Sequence, residues 1–292
     1  MGQQLVNGVF SGSIYALFAV GYTLVFGVLD ILNLAHQAVF TIGAFVALEL
    51  IIGWHLSLLP ALLGATLFSA LLGIVLDRVA FRPLRRRPDS YFSGLISSLA
   101  MATIFTSIVL QVYGPNLRRF PSGTFPDRSF QLGSLRLTLL QIAIVLTSLA
   151  LTLALQLLLQ RTRTGRAIRA VAESHRAARV LGIDVERIIL LSFVISSALG
   201  GIAGVLYGLA FNGIDPNLGQ SIELKGLSVI ILGGMGSIPG AVLGGYLLGL
   251  TEVFTVASVG SPYRDAAAFI VLFLILLVRP SGLLGRKAVR AA

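Results

Sequence analysis

The sequence contains no cysteine and few charged residues. Without cysteine, the chain cannot form a disulfide, ligate an iron–sulfur cluster or use a thiol as a nucleophile. Charged residues make up 12% of the 292 residues, whereas a soluble domain usually has about 25%. Hydrophobic residues make up 56% and the mean hydropathy is +0.91, so the chain could not cover its surface with polar groups in water. This composition predicts an integral membrane protein.

Acidic residues are scarcer than basic ones, with 12 Asp and Glu against 22 Lys and Arg and a formal net charge of +10. In a soluble protein this excess would suggest nucleic-acid binding. Here the arginines cluster between apolar runs, so membrane topology and anionic lipid explain them better. The N-terminal stretch MGQQLVNGVF carries no positive side chain and does not resemble a cleaved signal peptide.

The apolar runs are continuous and do not alternate with polar residues, which favours helices over the strands of a membrane barrel. We predict an all-α, polytopic transmembrane helical bundle. It forms a single domain over residues 1–292 with about eight or nine crossings, including interrupted helices. The predicted spans are 5–28, 34–53, 58–77, 92–113, 137–159, 188–211 and 265–279, with a less regular pair of short pieces in 224–257.

Basic residues between the spans predict the orientation of the chain. Segments 78–89 and 160–187 and the tail from 279 hold sixteen of the 22 Lys and Arg residues. An even number of spans separates these segments if 224–257 contributes two crossings, which places all three in the cytoplasm and the N-terminus outside. The loop 114–136 then lies outside, although it carries four arginines.

The longest basic segment, RTRTGRAIRAVAESHRAARVLGIDVER over 161–187, predicts one short amphipathic helix that ends at Gly182 as a C-cap glycine. Glu173 can pair with Arg169 or Arg176 on the polar face. A solvated loop, a lipid-surface helix and a docking helix for another protein all remain open. The apolar stripe of this helix consists of Ile168, Val171, His175 and Ala178.

Polar residues interrupt the second predicted span near its start. Asn33, His36 and Gln37 are costly at membrane depth unless they are partnered, which suggests a substrate path or a helix break. Alternatively, Asn33 and His36 lie at the cytoplasmic interface near Asp30. No second His or carboxylate stands at metal-ligand spacing in the sequence, so we expect no metal site here.

A second interruption is the motif GGMGSIPG at 233–240. Its glycines and Pro239 make a poor continuous helix, and irregular backbone in a membrane is tolerated where protein or a water-filled cavity covers it. Tight glycine packing between helices is the alternative, because Gly236, Gly240 and Gly244 form two overlapping GxxxG steps. No Gly-Lys-Ser/Thr follows the glycines, so the motif is not a phosphate loop.

Taken together, these segments resemble the permease family of branched-chain amino acid ABC importers, the LivH type. The family pattern Asn-Leu-Ala-His-Gly resembles residues 33–37, except that Gln37 replaces the glycine. The run from Leu232 to Ala241 and the pair Leu224-Lys225 match closely. Ala177-Ala178 with Gly182 partly resembles the Glu-Ala-Ala loop by which ABC permeases engage their ATPases, with Arg176 in place of the glutamate.

The resemblance implies two sets of functional residues. Those expected to couple to an ATPase are Gly165, Arg169, Glu173, His175, Ala177, Ala178 and Gly182. Those expected along the translocation pathway are Asn33, His36, Gln37, Gly43, Gly233, Gly234, Gly236, Pro239 and Gly240.

The resemblance also implies the partners and the activity. The chain would be one half of a bacterial inner-membrane channel. It would pair with a second permease, as a heterodimer, together with two cytoplasmic ATPases and an external binding protein. No cofactor is expected on this chain, because ATP and Mg²⁺ would bind the ATPases. The implied cargo is leucine, isoleucine or valine, with urea, short amides or other amino acids as alternatives.

A stand-alone secondary transporter or channel is the rival function. Ion coupling usually leaves carboxylates inside spans. Glu49, Asp77 and Glu252 lie near predicted span ends, and no Asp or Glu is expected at the centre of a span. This pattern favours an ATP-driven subunit. A membrane enzyme is a weaker rival, since three His residues offer no catalytic cluster.

Overall fold

The computed structural model describes residues 1–85, 90–133 and 135–285. These residues form eleven α-helices and one two-stranded antiparallel hairpin. A π-helical stretch, Leu76–Phe81, continues α3, and a 3-10 turn, Ser261–Tyr263, precedes α11. The helices are α1 Gly2–Leu29, α2 His36–Ile52, α3 Leu58–Val75, α4 Ser90–Tyr113, α5 Leu139–Arg161, α6 Arg163–Glu173, α7 His175–Val180, α8 Val185–Phe211, α9 Leu218–Gly233, α10 Ile238–Ser258 and α11 Arg264–Val278, and the strands are β1 Ser129–Leu132 and β2 Leu135–Thr138.

Seven helical stretches in the described residues are long and apolar enough to cross a membrane. Helices α2 and α9 have 17 and 16 residues, about 25 Å of helix, and are short for a hydrocarbon core of about 30 Å. Both nevertheless pack inside the bundle, α2 against α3, α8 and α9, and α9 against α1, α2 and α10. The predicted helical membrane fold is therefore confirmed, and α9 with α10 forms the pair expected in 224–257.

Helix α1 is the centre of the bundle. It packs against α5, α8, α9 and α10, and 89% of its most apolar 18-residue stretch is buried. Its antiparallel contact with α10 is close because Gly245 and Gly249 bring the two backbones together: a methyl group on Gly245 would lie 2.6 Å from the Ala16 Cα atom. On another face of α10, Gly244 lies against the Val229 carbonyl of α9. The glycine-packing interpretation thus holds for Gly240 and Gly244, which lie against α9, whereas Gly236 lies in the turn before α10.

Contacts between the loops define two sides of the bundle. On the N-terminal side, Gln3 Nε2 donates to the Arg136 carbonyl (3.0 Å) and the Arg136 amide donates to Gln3 Oε1 (2.9 Å). On the opposite side, which we call the α6–α7 side, His175 of α7 contacts the Val28 carbonyl at the end of α1, and Arg85 pairs with Glu186.

This arrangement matches the relative sides predicted from the basic segments. Residues 78–85 and 160–187 lie on the α6–α7 side and loop 114–136 lies on the N-terminal side. Which side faces the cytoplasm stays a prediction. Five basic residues used in that argument fall outside the described residues, namely Arg86, Arg87, Arg286, Lys287 and Arg290.

Candidate functional site

The basic segment forms two helices and not the single one predicted. Thr162 caps the start of helix α6, and its hydroxyl accepts from the Gly165 amide (2.9 Å). It ends at Ser174, which adopts an extended conformation (φ −162°, ψ 113°) and caps α7 by accepting from the Ala177 amide (3.2 Å). A serine that can satisfy the next helix's free N–H groups competes with helix continuation. The prediction of one continuous helix was therefore wrong. Periodicity did not reveal the break, because the spacing of the apolar residues is the same on both sides of Ser174.

The predicted apolar stripe packs against the chain itself. Ile168, Val171 and Ala178 are buried, and α6 lies on α1, α5 and α8. The Nε2–H of His175 donates to the Val28 carbonyl at 2.7 Å. Since the stripe packs against the chain itself, it offers no apolar face to lipid. The Ala178 side chain is buried, and its expected role in coupling to an ATPase stays a prediction.

Glycines set the position of this segment at both ends. A methyl group on Gly165 would collide with the Leu158 carbonyl of α5. Gly182 has φ +77°, and its amide bonds to the Arg179 carbonyl while the Ile183 amide bonds to the Ala178 carbonyl, both at 3.0 Å. This pair of bonds is a Schellman motif, so Gly182 is confirmed as the glycine that ends the helix.

The outward surface of the segment is charged at α6 and apolar at the end of α7. Arg169, Glu173 and Ala177 are exposed. Val180 is 83% and Leu181 is 75% exposed. We name Val180 and Leu181 the apolar turn. The sequence analysis did not identify it: Val180 falls outside the stripe spacing, and Leu181 fits the spacing but lies after the last helical residue of α7.

A charge cluster ties the segment that follows the apolar turn to the rest of the fold. Arg85 contacts Asp77 in the π-helical stretch that continues α3, and it bonds to Glu186 in the first turn of α8 (2.7 Å). Arg82 lies 3.6 Å from the same Glu186 carboxylate. Burial lowers the pKa of the Arg85 guanidinium, an effect that Glu186 opposes. A displacement of the α8 start would therefore be transmitted to α3.

The polar residues at the start of α2 lie inside the bundle. His36 is fully buried against Phe18 and Tyr22 of α1, beside Gly21. Gly21 is eight residues from the end of α1, about 12 Å along the helix. This buried position favours the placement of His36 inside the bundle over the alternative placement at the membrane interface.

The immediate surroundings of His36 are well packed. A methyl group on Gly200 of α8 would lie 2.7 Å from the ring. Asn33 Oδ1 accepts from the Ala35 amide (3.2 Å), and the Gln37 carbonyl accepts from the Thr41 hydroxyl (3.1 Å). Two helical turns after His36, Gly43 lies against the Gly201 backbone of α8. This packing gives these residues a structural role, and a transport role for them stays a prediction.

The GGMGSIPG motif forms the turn between α9 and α10. Gly234 and Gly236 have φ of +100° and +81°, which favours glycine at both positions. The turn lies near Gly27 at the end of α1, so the helix break is at the α6–α7 side and not deep in the membrane. Pro239 stands in the first turn of α10, where its missing N–H costs nothing.

Neighbouring backbone covers this turn. The Gly233 backbone lies against Gly240. The Leu283 and Leu284 amides bond to the carbonyls of Leu232 (2.8 Å) and Gly233 (2.9 Å). The chain after α11 thus holds the end of α9 in place.

Comparison with known proteins agrees with this architecture. A family model described as "Branched-chain amino acid transport system / permease component" matches residues 4–278. The chain belongs to this permease family. It is a multi-pass membrane protein and a permease subunit of an ABC importer.

Curated relatives match along nearly the whole chain. The high-affinity branched-chain amino acid transport system permease protein BraD of Pseudomonas aeruginosa is 38% identical over 298 residues, covering 98% of this chain and 96% of BraD. LivH of Escherichia coli K12 is 36% identical over 299 residues, with the same coverage. A solved structure, PsaBC from Streptococcus pneumoniae in complex with Fab, superposes with a TM-score of 0.50 at 11% identity, covering 94% of this chain and 91% of that one. At that identity the likeness shows the fold alone.

The permease also contains buried carboxylates that the sequence argument did not expect. Glu252 of α10 is 0% exposed and bonds to Tyr15, Lys225 and Arg264 at 2.8, 2.7 and 2.6 Å. Glu223 of α9 is 7% exposed. The expectation of no central Asp or Glu was wrong for Glu223, because the apolar run starts at residue 224 whereas α9 begins six residues earlier.

One peripheral helix of the permease has a polar outward face. On α3, α5 and α11 the exposed residues between the helix ends are apolar, as expected next to lipid. Helix α4 differs, because Thr103, Ser107 and Gln111 are exposed on successive turns. With Ala100 and Ile104 they line an open cavity of about 680 Å³. Polar side chains on an outward membrane face favour contact with protein or a water-filled path.

Proposed function

We propose that this permease imports leucine, isoleucine or valine as one half of a heterodimeric channel that ATPase subunits drive. The observation that carries the coupling half of this proposal is the apolar turn at the end of α7. Two large aliphatic side chains stand exposed there, beside arginines and next to a well-defined C-cap. An exposed apolar patch on an otherwise charged surface is typical of a protein docking site.

The energy source lies on the partner subunits. The sequence has no Gly-Lys-Ser/Thr motif, so a P-loop ATPase must be supplied by another chain. We assign ATP and Mg²⁺ to those subunits and no cofactor to this one. The α6–α7 side then faces the cytoplasm, and an external binding protein delivers substrate at the N-terminal side.

Coupling would pass through the segment from the apolar turn to α8. Closure of the ATPases presses on Val180 and Leu181. Residues 183–184 are all that separates Gly182 from the start of α8, and Glu186 in its first turn holds Arg85. The push therefore reaches α8 directly and α3 through the charge cluster, without the buried α6 stripe having to separate.

The polar face of α4 supports a pathway between two permeases. Thr103, Ser107 and Gln111 supply hydrogen bonds that a zwitterionic solute needs once it leaves water. Ile104 and Ile108 between them suit an aliphatic side chain. The second permease subunit would cover this face and exclude lipid from it.

Reconstitution of the complete importer tests the proposal. The permease pair, the ATPases and the binding protein are placed in proteoliposomes, and ATP-dependent uptake of radiolabelled leucine is measured. We expect competition by isoleucine and valine and no effect of urea or acetamide. Uptake without ATP would favour a secondary transporter, and competition by urea or acetamide alone would assign the permease to amide transport.

A further inference from the structure

Glu223 is a carboxylate held inside the bundle by the packing of α9. Gly219, one turn before it, lies against the Gln37 carbonyl and the Thr41 hydroxyl of α2, and the Gly219 amide donates to that hydroxyl at 3.0 Å. Gly226, one turn after it, lies against the Phe18 ring of α1. These two close contacts fix the rotation of α9, so Glu223 faces the interior.

The carboxylate of Glu223 lacks the partners that the other buried glutamate has. Glu252 is tied to a lysine, an arginine and a tyrosine. Glu223 Oε1 is buried and has no hydrogen-bond partner in the described residues. The Tyr22 hydroxyl is also buried and also lacks a partner there. Lys225 is two residues away but is bound to Glu252 and Asp265 instead.

The charged form of a buried, unpaired carboxylate is costly, so a cation from outside the chain would stabilise it. Aromatic rings lie near this part of α9: Gly226 contacts the Phe18 ring, and Phe18 lies edge-on to Phe40 (5.4 Å between ring centroids) and beside Tyr22 (6.1 Å). A carboxylate near aromatic rings favours an organic ammonium group, which can gain both an ion pair and cation–π contact.

We propose that Glu223 binds the α-ammonium group of the transported amino acid during its passage. The proposal rests on the function proposed above, since that function supplies an ammonium-bearing cargo. Access runs from the exposed surface of α9, where Gln220, Ser221 and Leu224 flank the buried carboxylate. Both α9 and α4 pack on α2, so Glu223 and the polar face of α4 belong to helices that share one neighbour.

Uptake by the reconstituted importer provides the first test. Glu223→Gln keeps the size of the side chain and removes its charge. We expect it to lower leucine uptake about tenfold or more, as for loss of a charge-assisted hydrogen bond, while basal ATP hydrolysis and complex yield stay at the wild-type level. Glu49→Gln, at the exposed end of α2, is the matched control and should be silent. Wild-type uptake by Glu223→Gln would overturn the proposal.

A labelling experiment separates ligand binding from a structural role. The chain has no cysteine, so Gln220→Cys gives one reactive site a turn away from Glu223. We expect leucine and 3-methylbutylamine to slow its modification by a methanethiosulfonate, and 4-methylpentanoate, which lacks the amine, to have no effect. Adding Glu223→Gln should abolish the protection. Protection that persists in Glu223→Gln, or that 4-methylpentanoate also gives, would refute an ammonium site.

The two proposals fail in different ways. If the wild-type importer does not take up leucine, the proposed cargo is wrong. If the wild type transports leucine but Glu223→Gln loses assembly and Glu223→Asp restores it without restoring protection, Glu223 is a structural residue only.

Discussion

The exposed surface of the apolar turn gives an estimate of how much it contributes to ATPase binding. Full burial of a leucine side chain contributes about 1.5–3 kcal/mol, and Leu181 has 75% of its surface available for a partner. Leu181→Ala should therefore weaken ATPase binding by roughly 1–2 kcal/mol, or about five- to thirtyfold in Kd. Val180→Ala should act in the same direction and to a smaller extent, because fewer carbon atoms are lost.

The measurement is a titration of purified ATPase subunits onto the permease pair in nanodiscs. Leu157→Ala is the matched control, because this α5 leucine is also exposed but lies on a lipid-facing surface. Substrate-stimulated ATP hydrolysis should fall together with affinity in Leu181→Ala and recover at high ATPase concentration. A Kd within twofold of the wild-type value would remove the apolar turn from the interface and refute the coupling route through it.

Three further outcomes follow from the fold. Ser174→Cys should resist an impermeant thiol reagent in intact cells and react in inverted vesicles; labelling from outside would reverse the proposed orientation. Glu252→Gln should lower the free energy of unfolding of the purified complex by about 3–5 kcal/mol, the cost of breaking a buried ion pair. Asp265→Asn should change this free energy little, because the Asp265 side chain is 69% exposed. Pro239→Ala should leave uptake near the wild-type level, while Gly236→Leu, at φ +81°, should impair assembly; a strong transport defect in Pro239→Ala alone would return the turn to the pathway.

Continuous hydrophobicity was sufficient to predict the helices, because a span needs little more than apolar length. The predicted runs 92–113 and 137–159 agree with α4 and α5 to within two residues at each end. Hydrophobicity did not predict where a side chain caps a helix and ends it. Ser174 interrupts the basic helix without disturbing the spacing of its apolar residues, so periodicity could not distinguish one helix from two.

The depth of polar residues in the bundle, and the residues that they contact, were harder to predict than the presence of a helix. His36 was expected either in a path or at the interface, and it fills a space between α1 and α8 that Gly21 and Gly200 leave open. Glu223 was excluded from the span because the apolar run begins one residue later. Which face of a helix is covered depends on neighbours far away in the chain, and a single sequence does not display them.

The central position of α1 has a consequence for how the protein is made. Eight described helices separate α1 from the glycine-rich α10 that covers one of its faces, and the bond between Tyr15 and Glu252 joins residues 237 positions apart. During synthesis, the Tyr15 hydroxyl and the small residues of α1 therefore face lipid or the insertion machinery until α10 arrives. A chain that stops before residue 238 would lack α10 and would leave the face of α1 that α10 covers exposed. We expect quality-control proteases to recognise such a truncated chain by its exposed α1, although the missing segment is α10.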